Sequence, residues 1–329
     1  MASIKDVAKE AEVSISTVSK VLKNYPNISQ ATKDKVNEAI SKLGFVPNAA
    51  ASMLSSKRAG RIALLINPNS RTEAIDQIYM QYITGAIGKA KEEKLDIVTL
   101  FFSMIAEMSL EEITSYLQAQ NITGVIICGL NKKSETLHRL IEKQQFKFVI
   151  VDAPIYNDSA SSIWIDNAQA QAAVIKATMK NVDCKKILYI AGKSESYVND
   201  ERIKGLEEIT REYQIECKIL DGDFSELKAR NITLQYGKDY DIIACGSDLM
   251  AIGAMKALME LDVFHPVCGF DGIALMGYVG KQMNTVKQDF AKISESAVEE
   301  LKALMKGKKG ENIIAPYELV RMRYEDIIC

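Results

Sequence analysis

The first 22 residues contain two short amphipathic helical patterns in succession, and this arrangement constrains the fold more than any other feature of the chain. In the first pattern, which Ser3 can cap, four apolar residues recur at helical spacing: Ile4, Val7, Ala8 and Ala11. Val13 falls in the turn, and Ser14 or Ser16 can cap the second helix. Helices this short are stable only when they pack on one another, so the spacing predicts a helix-turn-helix.

A third helix follows, because Ser29 can cap it and Gly44 can end it. In a helix-turn-helix the second helix is the one that can enter a DNA major groove. Its outer side carries short hydroxyl groups, Lys20 and Ile15, which can reach phosphates, base edges and a thymine methyl group. A solvated helix face with ordinary Ser and Thr caps explains the same residues equally well.

Charge is unevenly distributed along the chain. Residues 1–60 carry nine Lys and Arg against five Asp and Glu, a net charge of +4, whereas the remainder carries −6. A basic head on an acidic body suits phosphate binding by one end only. The polar N-terminus lacks the apolar core of a signal peptide, and the longest apolar runs are strand-sized. We therefore expect a cytoplasmic protein with no membrane association.

Metal and cofactor chemistry is not indicated. The six cysteines are scattered without a Cys-x-x-Cys pair and only two histidines are present, so a zinc cluster is not expected and reduced thiols are the simplest interpretation. Glycine-rich nucleotide loops, a Walker loop and a Gly-x-Ser-x-Gly elbow are also missing from the sequence. We expect no cofactor, no metal and no enzymatic activity.

From Arg61 onward, strand-length apolar runs alternate with helix-length segments. Seven runs are predicted as buried parallel strands: Ile62–Ile66, Ile97–Phe102, Val125–Cys128, Phe148–Val151, Ile187–Ile190, Ile242–Cys245 and Val267–Phe270. This number of units at 329 residues predicts two doubly wound α/β lobes with parallel sheets. Ligands of such folds bind beyond the C-terminal ends of the strands, here in a cleft between the lobes.

Three runs of the head follow a known pattern: Ile4–Leu22, Ile28–Val36 and Leu43–Ala49. Through these runs the head resembles the lactose/galactose repressor (LacI/GalR) family. The resemblance implies that the segment after Pro47 and Asn48 is a hinge helix, which pairs with its counterpart in a second subunit and enters the minor groove. Leu54 matches the leucine that wedges into the central base step, and Ala51 matches the small residue at the contact between the helices. Without the family, residues 48–54 are merely an Ala-rich linker.

The same resemblance assigns DNA contacts in the head. Three residues match base-reading positions: Ile15, Ser16 and Lys20. Five match positions where phosphate contacts are usual: Ser14, Thr17, Ser19, Asn27 and Thr32. One departure stands out, because Glu12 replaces the usual glycine of the turn, which costs strain if that position needs a positive φ.

Several runs of the body match this family in the same order: Glu201–Leu206, Cys245–Ala254, Gly269–Gly272 and Asn284–Gln288. Through them the body resembles the effector-binding core of the family, which is similar to periplasmic sugar-binding proteins. It implies five effector-binding candidates: Asp152, Arg202, Phe224, Asp248 and Asp271. A guanidinium suits bidentate contacts to hydroxyls or a carboxylate, and carboxylates after strands can accept sugar hydroxyl protons. Simpler interpretations are a solvated charge for Arg202, helix capping in competition with Ser247 for Asp248, and ordinary core for Phe224.

The resemblance implies a DNA-binding regulator with three parts. These are a helix-turn-helix domain (1–46), a hinge helix and linker (47–60) and an effector-binding, dimer-forming core (61–329). Lobe one is expected at about 61–160 plus 289–315, and lobe two at about 161–288 plus 316–329. The expected partners are a pseudo-palindromic operator duplex, a sugar or sugar derivative and a second copy of the chain. The alternatives are a protein corepressor, a non-sugar metabolite, or a solute-binding sensor without a DNA role.

Overall fold

The computed structural model describes residues 2–22, 25, 27–45, 60–67, 76–180 and 182–322. The chain divides into two compact units, residues 1–58 and 59–329. The first unit contains α1 (Ile4–Glu10), α2 (Ile15–Leu22) and α3 (Gln30–Leu43). These helices surround one apolar cluster of buried residues: Val7, Ala8, Ala11, Val18, Val21, Val36 and Ala39. The predicted helix-turn-helix is therefore confirmed.

The ends of these helices are stabilised by the expected caps. Ser3 forms a capping box with Asp6, in which the Ser3 amide donates to the Asp6 carboxylate at 2.8 Å. Of the two candidates for α2, Ser14 is the cap, since its hydroxyl accepts from the Thr17 amide at 3.1 Å. Gly44 ends α3 in the left-handed conformation, at φ 56°.

Glu12 lies in the turn between α1 and α2 at φ 55°. The departure noted in the sequence thus falls at a position with a left-handed backbone. A side chain with a Cβ costs about 1–2 kcal/mol there, whereas glycine adopts the conformation without that penalty.

The second unit contains two parallel sheets and the helices that cover them. Its strands are β1 (Arg61–Ile66), β2 (Asp96–Phe101), β3 (Ile122–Cys128), β4 (Lys147–Val151), β5 (Ala160–Ile165), β6 (Lys186–Ala191), β7 (Glu216–Asp221), β8 (Ile242–Cys245), β9 (Val267–Cys268), β10 (Met283–Lys287), β11 (Asn312–Ala315) and β12 (Glu318–Met322). Its helices are α4 (Asp76–Glu92), α5 (Leu110–Ala119), α6 (Glu135–Glu142), α7 (Asn167–Met179), α8 (Tyr197–Tyr213), α9 (Glu226–Tyr236), α10 (Asp248–Glu260) and α11 (Phe290–Met305). Among the described residues, three short 3₁₀ turns connect them at Phe102–Met104, Gly237–Asp239 and Ala274–Val279.

In the part of the chain that the structure describes, each sheet has six strands and defines one lobe. The order is β11-β5-β4-β3-β1-β2 in the first lobe and β12-β10-β9-β8-β6-β7 in the second. All pairings are parallel except that of β10 with the edge strand β12, which is antiparallel. The predicted pair of doubly wound lobes is confirmed, and each sheet places its strand C-termini at one edge.

The expected boundary between the lobes, at about residue 160, needs a correction. Strand β5 pairs in parallel with β4 and belongs to the first sheet, so the chain crosses to the second lobe only after Ile165. The strand carries Ser161 and Ser162, which broke the apolar pattern. Both side chains are buried because their hydroxyls donate to Glu300 at 2.7 Å and to the Ala153 carbonyl at 2.7 Å.

Apolar layers lie on both faces of each sheet. In the first lobe, α4 and α11 supply buried residues on one face, and α5 and α6 supply them on the other. In the second lobe, α7 and α8 cover one face and α9 and α10 the other. Among the described residues, no helix combines the length and apolar character needed to span a bilayer.

We predict that Glu12→Gly stabilises the head. The substitution removes the left-handed strain but adds backbone freedom to the unfolded chain, so the expected net gain is about 0.5–1 kcal/mol. Native-state hydrogen exchange of the α1 and α2 amides in the full chain measures it. Glu12→Ala, which keeps a Cβ, is the matched control and should give no such gain. Equal stability of the two variants would contradict the strain.

Candidate functional site

The outer face of α2 presents a compact group of polar side chains. Ser14, Ser16 and Lys20 are exposed, and the Ile15 side chain is 46% exposed although it is apolar. The Ser14 hydroxyl lies 2.7 Å from that of Ser16 and 2.8 Å from that of Thr17. Hydroxyls grouped at a helix N-terminus, with a lysine one turn further on, form a surface suited to phosphates and base edges.

The remaining DNA-contact candidates of the described head lie on or beside this surface or at the start of α3. Ser19 is half-buried on α2, Asn27 is exposed in the connecting turn, and Thr32 is half-buried in the first turn of α3. The Thr32 hydroxyl lies 2.8 Å from that of the cap Ser29. The hinge candidates Asn48, Ala51 and Leu54 lie outside the described residues, so their roles stay predictions.

A cavity of about 180 Å³ lies between the two lobes of the second unit. The first lobe contributes residues that follow β3 and β4, together with one face of α4 and the start of α11. The second lobe contributes residues that follow β6, β7, β8 and β9. Four of the five effector candidates line it: Asp152, Arg202, Phe224 and Asp271. The cavity therefore occupies the position that the doubly wound topology predicts for a ligand.

Arg202 is the buried cation of this cavity, with only 4% of its surface exposed. Its Nε donates to Asn167 at 3.0 Å, and its other guanidinium nitrogens donate to the Gly246 carbonyl at 2.6 Å and to Asp271 at 3.5 Å. The guanidinium carbon lies 3.6 Å from the centre of the Phe270 ring. The interpretation of Arg202 as a solvated charge is wrong, because four protein groups from three segments position the guanidinium.

Asp271 and Gln288 form the acceptor side of the cavity. The Gln288 Nε2 donates to Asp271 at 3.2 Å, which directs the amide oxygen away from the carboxylate. That oxygen is buried and has no partner within the described chain. Burial raises the pKa of Asp271 to about 6, against the opposing effect of Arg202. A buried acceptor without a partner among the described residues is a place where a hydrogen-bond donor of a ligand can bind.

Asp152 faces the same cavity from the first lobe. Its carboxylate accepts a hydrogen bond from the Tyr82 hydroxyl at 3.0 Å. Burial raises its pKa above the ordinary value, while the charge of Arg202 and the Tyr82 hydrogen bond oppose that rise. Asp152 and Asp271 thus share one buried cation, and their mutual repulsion contributes to the raised pKa of Asp271.

Aromatic rings form much of the apolar wall. Tyr79, Phe224 and Phe290 line the cavity, and the rings of Tyr82 and Phe290 meet edge to face with centres 5.3 Å apart. The Phe224 ring rests on Gly192, where an added Cβ would fall 2.1 Å from the ring. Phe224 is therefore part of the cavity wall rather than ordinary core.

Backbone strain concentrates at this cavity. Of the ten described non-glycine residues with positive φ, four line it: Asp152 (63°), Asp223 (55°), Phe224 (54°) and Asp271 (120°). Such conformations cost free energy and persist where the surrounding structure imposes them, which is common at binding sites.

Asp248 does not line the cavity, which corrects its placement among the effector candidates. It is fully buried in the first turn of α10, whereas its neighbour Ser247 both caps that helix and lines the cavity. The Asp248 carboxylate accepts from the Thr285 hydroxyl at 2.6 Å and from the Ile273 amide at 2.8 Å. Burial, followed by the charge of Asp271, raises its pKa to about 8.

The sequence did not single out several residues that line the cavity: Tyr79, Tyr82, Asn131, Lys193, Gln288 and Phe290. Gln288 was the easiest of these to find from the sequence, since it ends the Asn284–Gln288 run on which the family resemblance partly rests. The others lie on helices or loops whose local pattern does not distinguish cavity from core. Among the described residues, no group of His, Cys, Asp and Glu is arranged to hold a metal ion.

This fold and these two sites define a class of protein: a helix-turn-helix DNA-binding unit joined to a core of the periplasmic-binding-protein type. Comparison with known families agrees. Residues 3–48 match the model described as bacterial regulatory proteins, lacI family, and residues 76–309 match a periplasmic binding protein domain. The chain belongs to the LacI family and is a DNA-binding transcriptional regulator rather than an enzyme.

Relatives and solved structures span nearly the whole chain. The transcriptional regulator MalR of Clostridium butyricum is 27% identical over 97% of each chain. The transcriptional repressor PurR of Vibrio atlanticus is 26% identical over 94% of each chain. Among solved structures, the Lac repressor dimer bound to operator and the anti-inducer ONPF has a TM-score of 0.80 at 22% identity, over 98% of this chain and 99% of that one. The CelR–cellobiose complex has a TM-score of 0.70 at 22% identity over the same shares.

We predict that Asp248→Asn flattens the pH dependence of stability. Because the folded pKa of Asp248 lies above that of an unfolded aspartate, the folded protein holds more protons than the unfolded chain between about pH 4 and 8. The free energy of unfolding therefore falls as the pH rises through this window. Asparagine cannot ionise, yet it can accept from Ile273 and donate to Thr285. Urea unfolding from pH 4 to 8 should show a smaller slope in the variant.

A matched control for this prediction is Asp241→Asn, since Asp241 also accepts two hydrogen bonds, from the amides of Lys185 and Lys186, but at an exposed site. In this control, the free energy of unfolding should decline above pH 5 as steeply as it does in the native protein. A variant Asp248→Asn with the native slope would show that the buried carboxyl does not govern this window.

Proposed function

We propose that this regulator is a dimeric repressor of carbohydrate-utilisation genes, controlled by a neutral sugar or sugar derivative bound between its lobes. The observation that carries the proposal is the buried, acceptor-rich and aromatic-walled cavity. We also propose the division into a head (1–46), a hinge helix and linker (47–60) and a core (61–329), in which the hinge helix wedges Leu54 into operator DNA.

The polar groups of the cavity favour a ligand that donates hydrogen bonds. The carboxylates of Asp152 and Asp271 and the unpartnered oxygen of Gln288 are among the acceptors that line it, whereas Arg202 already has three protein acceptors. Hydroxyl groups can donate to all three acceptors without adding negative charge. A phosphate or carboxylate at the same place would repel Asp152 and Asp271. Neutral polyhydroxyl ligands therefore fit the buried end of the cavity better than anions.

The apolar surfaces of the cavity suit a sugar ring. Sugars present C–H faces between their hydroxyl groups, and Tyr79, Phe224 and Phe290 offer aromatic surfaces beside the acceptors. The CelR–cellobiose complex, whose fold this chain shares, supports a saccharide as the ligand class.

Binding to a pseudo-palindromic operator requires two heads, and exposed apolar side chains support a dimer. Met80 and Ile87 on α4 are 54% and 46% exposed, and Leu227 and Met259 in the second lobe are 64% and 51% exposed. Large apolar groups on helix surfaces commonly mark interfaces. The Lac repressor structure with the same fold is a dimer bound to operator.

The alternatives predict different ligands. The protein would still bind DNA if its effector were a protein corepressor or a non-sugar metabolite. Ligand screening is therefore needed to distinguish these effectors from a sugar. A solute-binding sensor without a DNA role is opposed by the family match of the head.

We predict that Lys20→Ala weakens binding to the operator by about 1–3 kcal/mol, because Lys20 matches a base-reading position. The variant should also lose its preference for the native base at the one operator position that Lys20 contacts. Selection of bound duplexes from a random pool identifies the operator, and titrations at several salt concentrations measure the effect. Lys42→Ala on α3 is the control, since Lys42 is also exposed but paired with Glu10 at 2.5 Å. A salt slope flattened by about one unit, with specificity unchanged, would instead assign Lys20 to a phosphate.

We predict that a neutral saccharide, in a panel that also contains sugar phosphates and nucleobases, raises the melting temperature of the full chain. A ligand at 100 times its Kd adds about 2.7 kcal/mol, which corresponds to a rise of about 5–10 °C for a core of this size. Gln288→Met should abolish most of the rise, because it removes the unpartnered acceptor.

Thr233→Val is the matched control for Gln288→Met. The Thr233 hydroxyl is also buried without a partner among the described residues, but it lies on α9 and does not line the cavity. This variant should keep the saccharide response. A response to phosphorylated sugars alone would contradict the proposed ligand class, and no response to any small molecule would favour a protein corepressor.

A further inference from the structure

Two loops that line the cavity contact each other, one from each lobe. The first follows β3 and comprises residues 131–134; the second follows β6 and comprises residues 193–200, including the start of α8. Because β3 and β6 lie in different sheets, every contact between these loops joins the two lobes. We call this pair of loops the interlobe latch.

Lys132 is the centre of the latch. Its backbone amide donates to the Glu195 carbonyl at 3.0 Å. Its Nζ donates to the Ser194 carbonyl at 2.9 Å and pairs with the Asp200 carboxylate at 2.5 Å. A single residue of the first lobe therefore contacts three residues of the second, through both its main chain and its side chain.

Two weaker contacts between the lobes extend the interlobe latch. Lys133 Nζ lies 4.0 Å from the Glu195 carboxylate. The Tyr197 hydroxyl lies 3.5 Å from Nε2 of His138, and the two rings meet edge to face with centres 6.2 Å apart. These contacts continue the latch from the loops to the first turns of α6 and α8.

The latch is pre-organised on the side of the first lobe. The Asn131 side chain accepts from the Lys133 amide at 2.9 Å and from the Ser134 hydroxyl at 3.1 Å. The Asn131 carbonyl lies 2.9 Å from Nε2 of His138. These bonds hold the turn that directs Lys132 toward the second lobe, so closing the latch orders few additional residues.

The same loops form part of the cavity wall. Asn131, Lys193, Glu195 and Ser196 line the cavity, and all four belong to the latch. A ligand that passes between the lobes on this side must separate Lys132 from its partners. We propose that the interlobe latch is a built-in gate, whose strength sets the balance between open and closed forms of the cleft independently of the effector.

Hydrogen exchange at the Lys132 amide reports the latch directly, because its acceptor lies on the opposite lobe. In the full chain without DNA or sugar, Asp200→Asn should raise the exchange rate of this amide about two- to five-fold, as expected for loss of one partly exposed ion pair. Spin labels on unnatural amino acids at Glu142 and Glu208, one on each lobe, should report a broader and longer distance distribution in the same variant.

Glu226→Gln is the matched control, since Glu226 pairs with Lys256 at 2.6 Å on partly exposed side chains within the second lobe. It should leave both measurements unchanged. The exchanged pair Lys132→Glu with Asp200→Lys should restore part of the protection. The proposal is overturned if Asp200→Asn matches the control in both measurements, or if the native Lys132 amide exchanges as fast as an unstructured one. Neither outcome depends on the sugar or the operator.

Discussion

The binding chemistry of the core depends on one buried guanidinium. Arg202 reaches from α8 to Asn167 at the start of α7, to Gly246 after β8 and to Asp271 after β9. A buried cation is costly unless its donors are satisfied, and these acceptors from separate segments satisfy it. Asn167 lies two residues after Ile165, where the chain enters the second lobe. The same side chain therefore anchors the lobe crossing and sets the electrostatics of the cavity.

The character of the cavity follows from this arrangement. Burial raises the pKa values of Asp152 and Asp271, and the charge of Arg202, which is shared with other protein acceptors, only partly offsets that rise. The oxygen of Gln288 adds an acceptor with no donor. Ligand class and lobe position are also connected, since loops that line the cavity carry the latch contacts between the lobes. Any ligand that alters these loops therefore also alters the contacts that hold the two lobes together.

Prediction from the sequence succeeded where a few neighbouring residues determine the local structure. The caps Ser3 and Ser29, the helix end at Gly44 and the positive φ at Glu12 all depend on a few neighbouring residues. Buried parallel strands also left a clear signal, because both faces of such strands are apolar. The signal failed at β5, where Ser161 and Ser162 are buried through hydrogen bonds to distant groups. A polar residue whose hydrogen-bond partner lies far away along the chain is interpreted as exposed when only the sequence is read.

The sequence by itself determined the helix-turn-helix, the two doubly wound lobes and four residues of the cavity wall, since these follow from periodicity, capping and family motifs. Only the tertiary structure decided that Asp248 lies behind the cavity, bonded to Thr285 and Ile273. It also brought Gln288, Tyr79 and Phe290 to the wall, and Lys132 to Asp200 across the lobes. The physical reason is distance along the chain: these residues meet only when separate strands place their ends side by side, and no local pattern encodes that meeting.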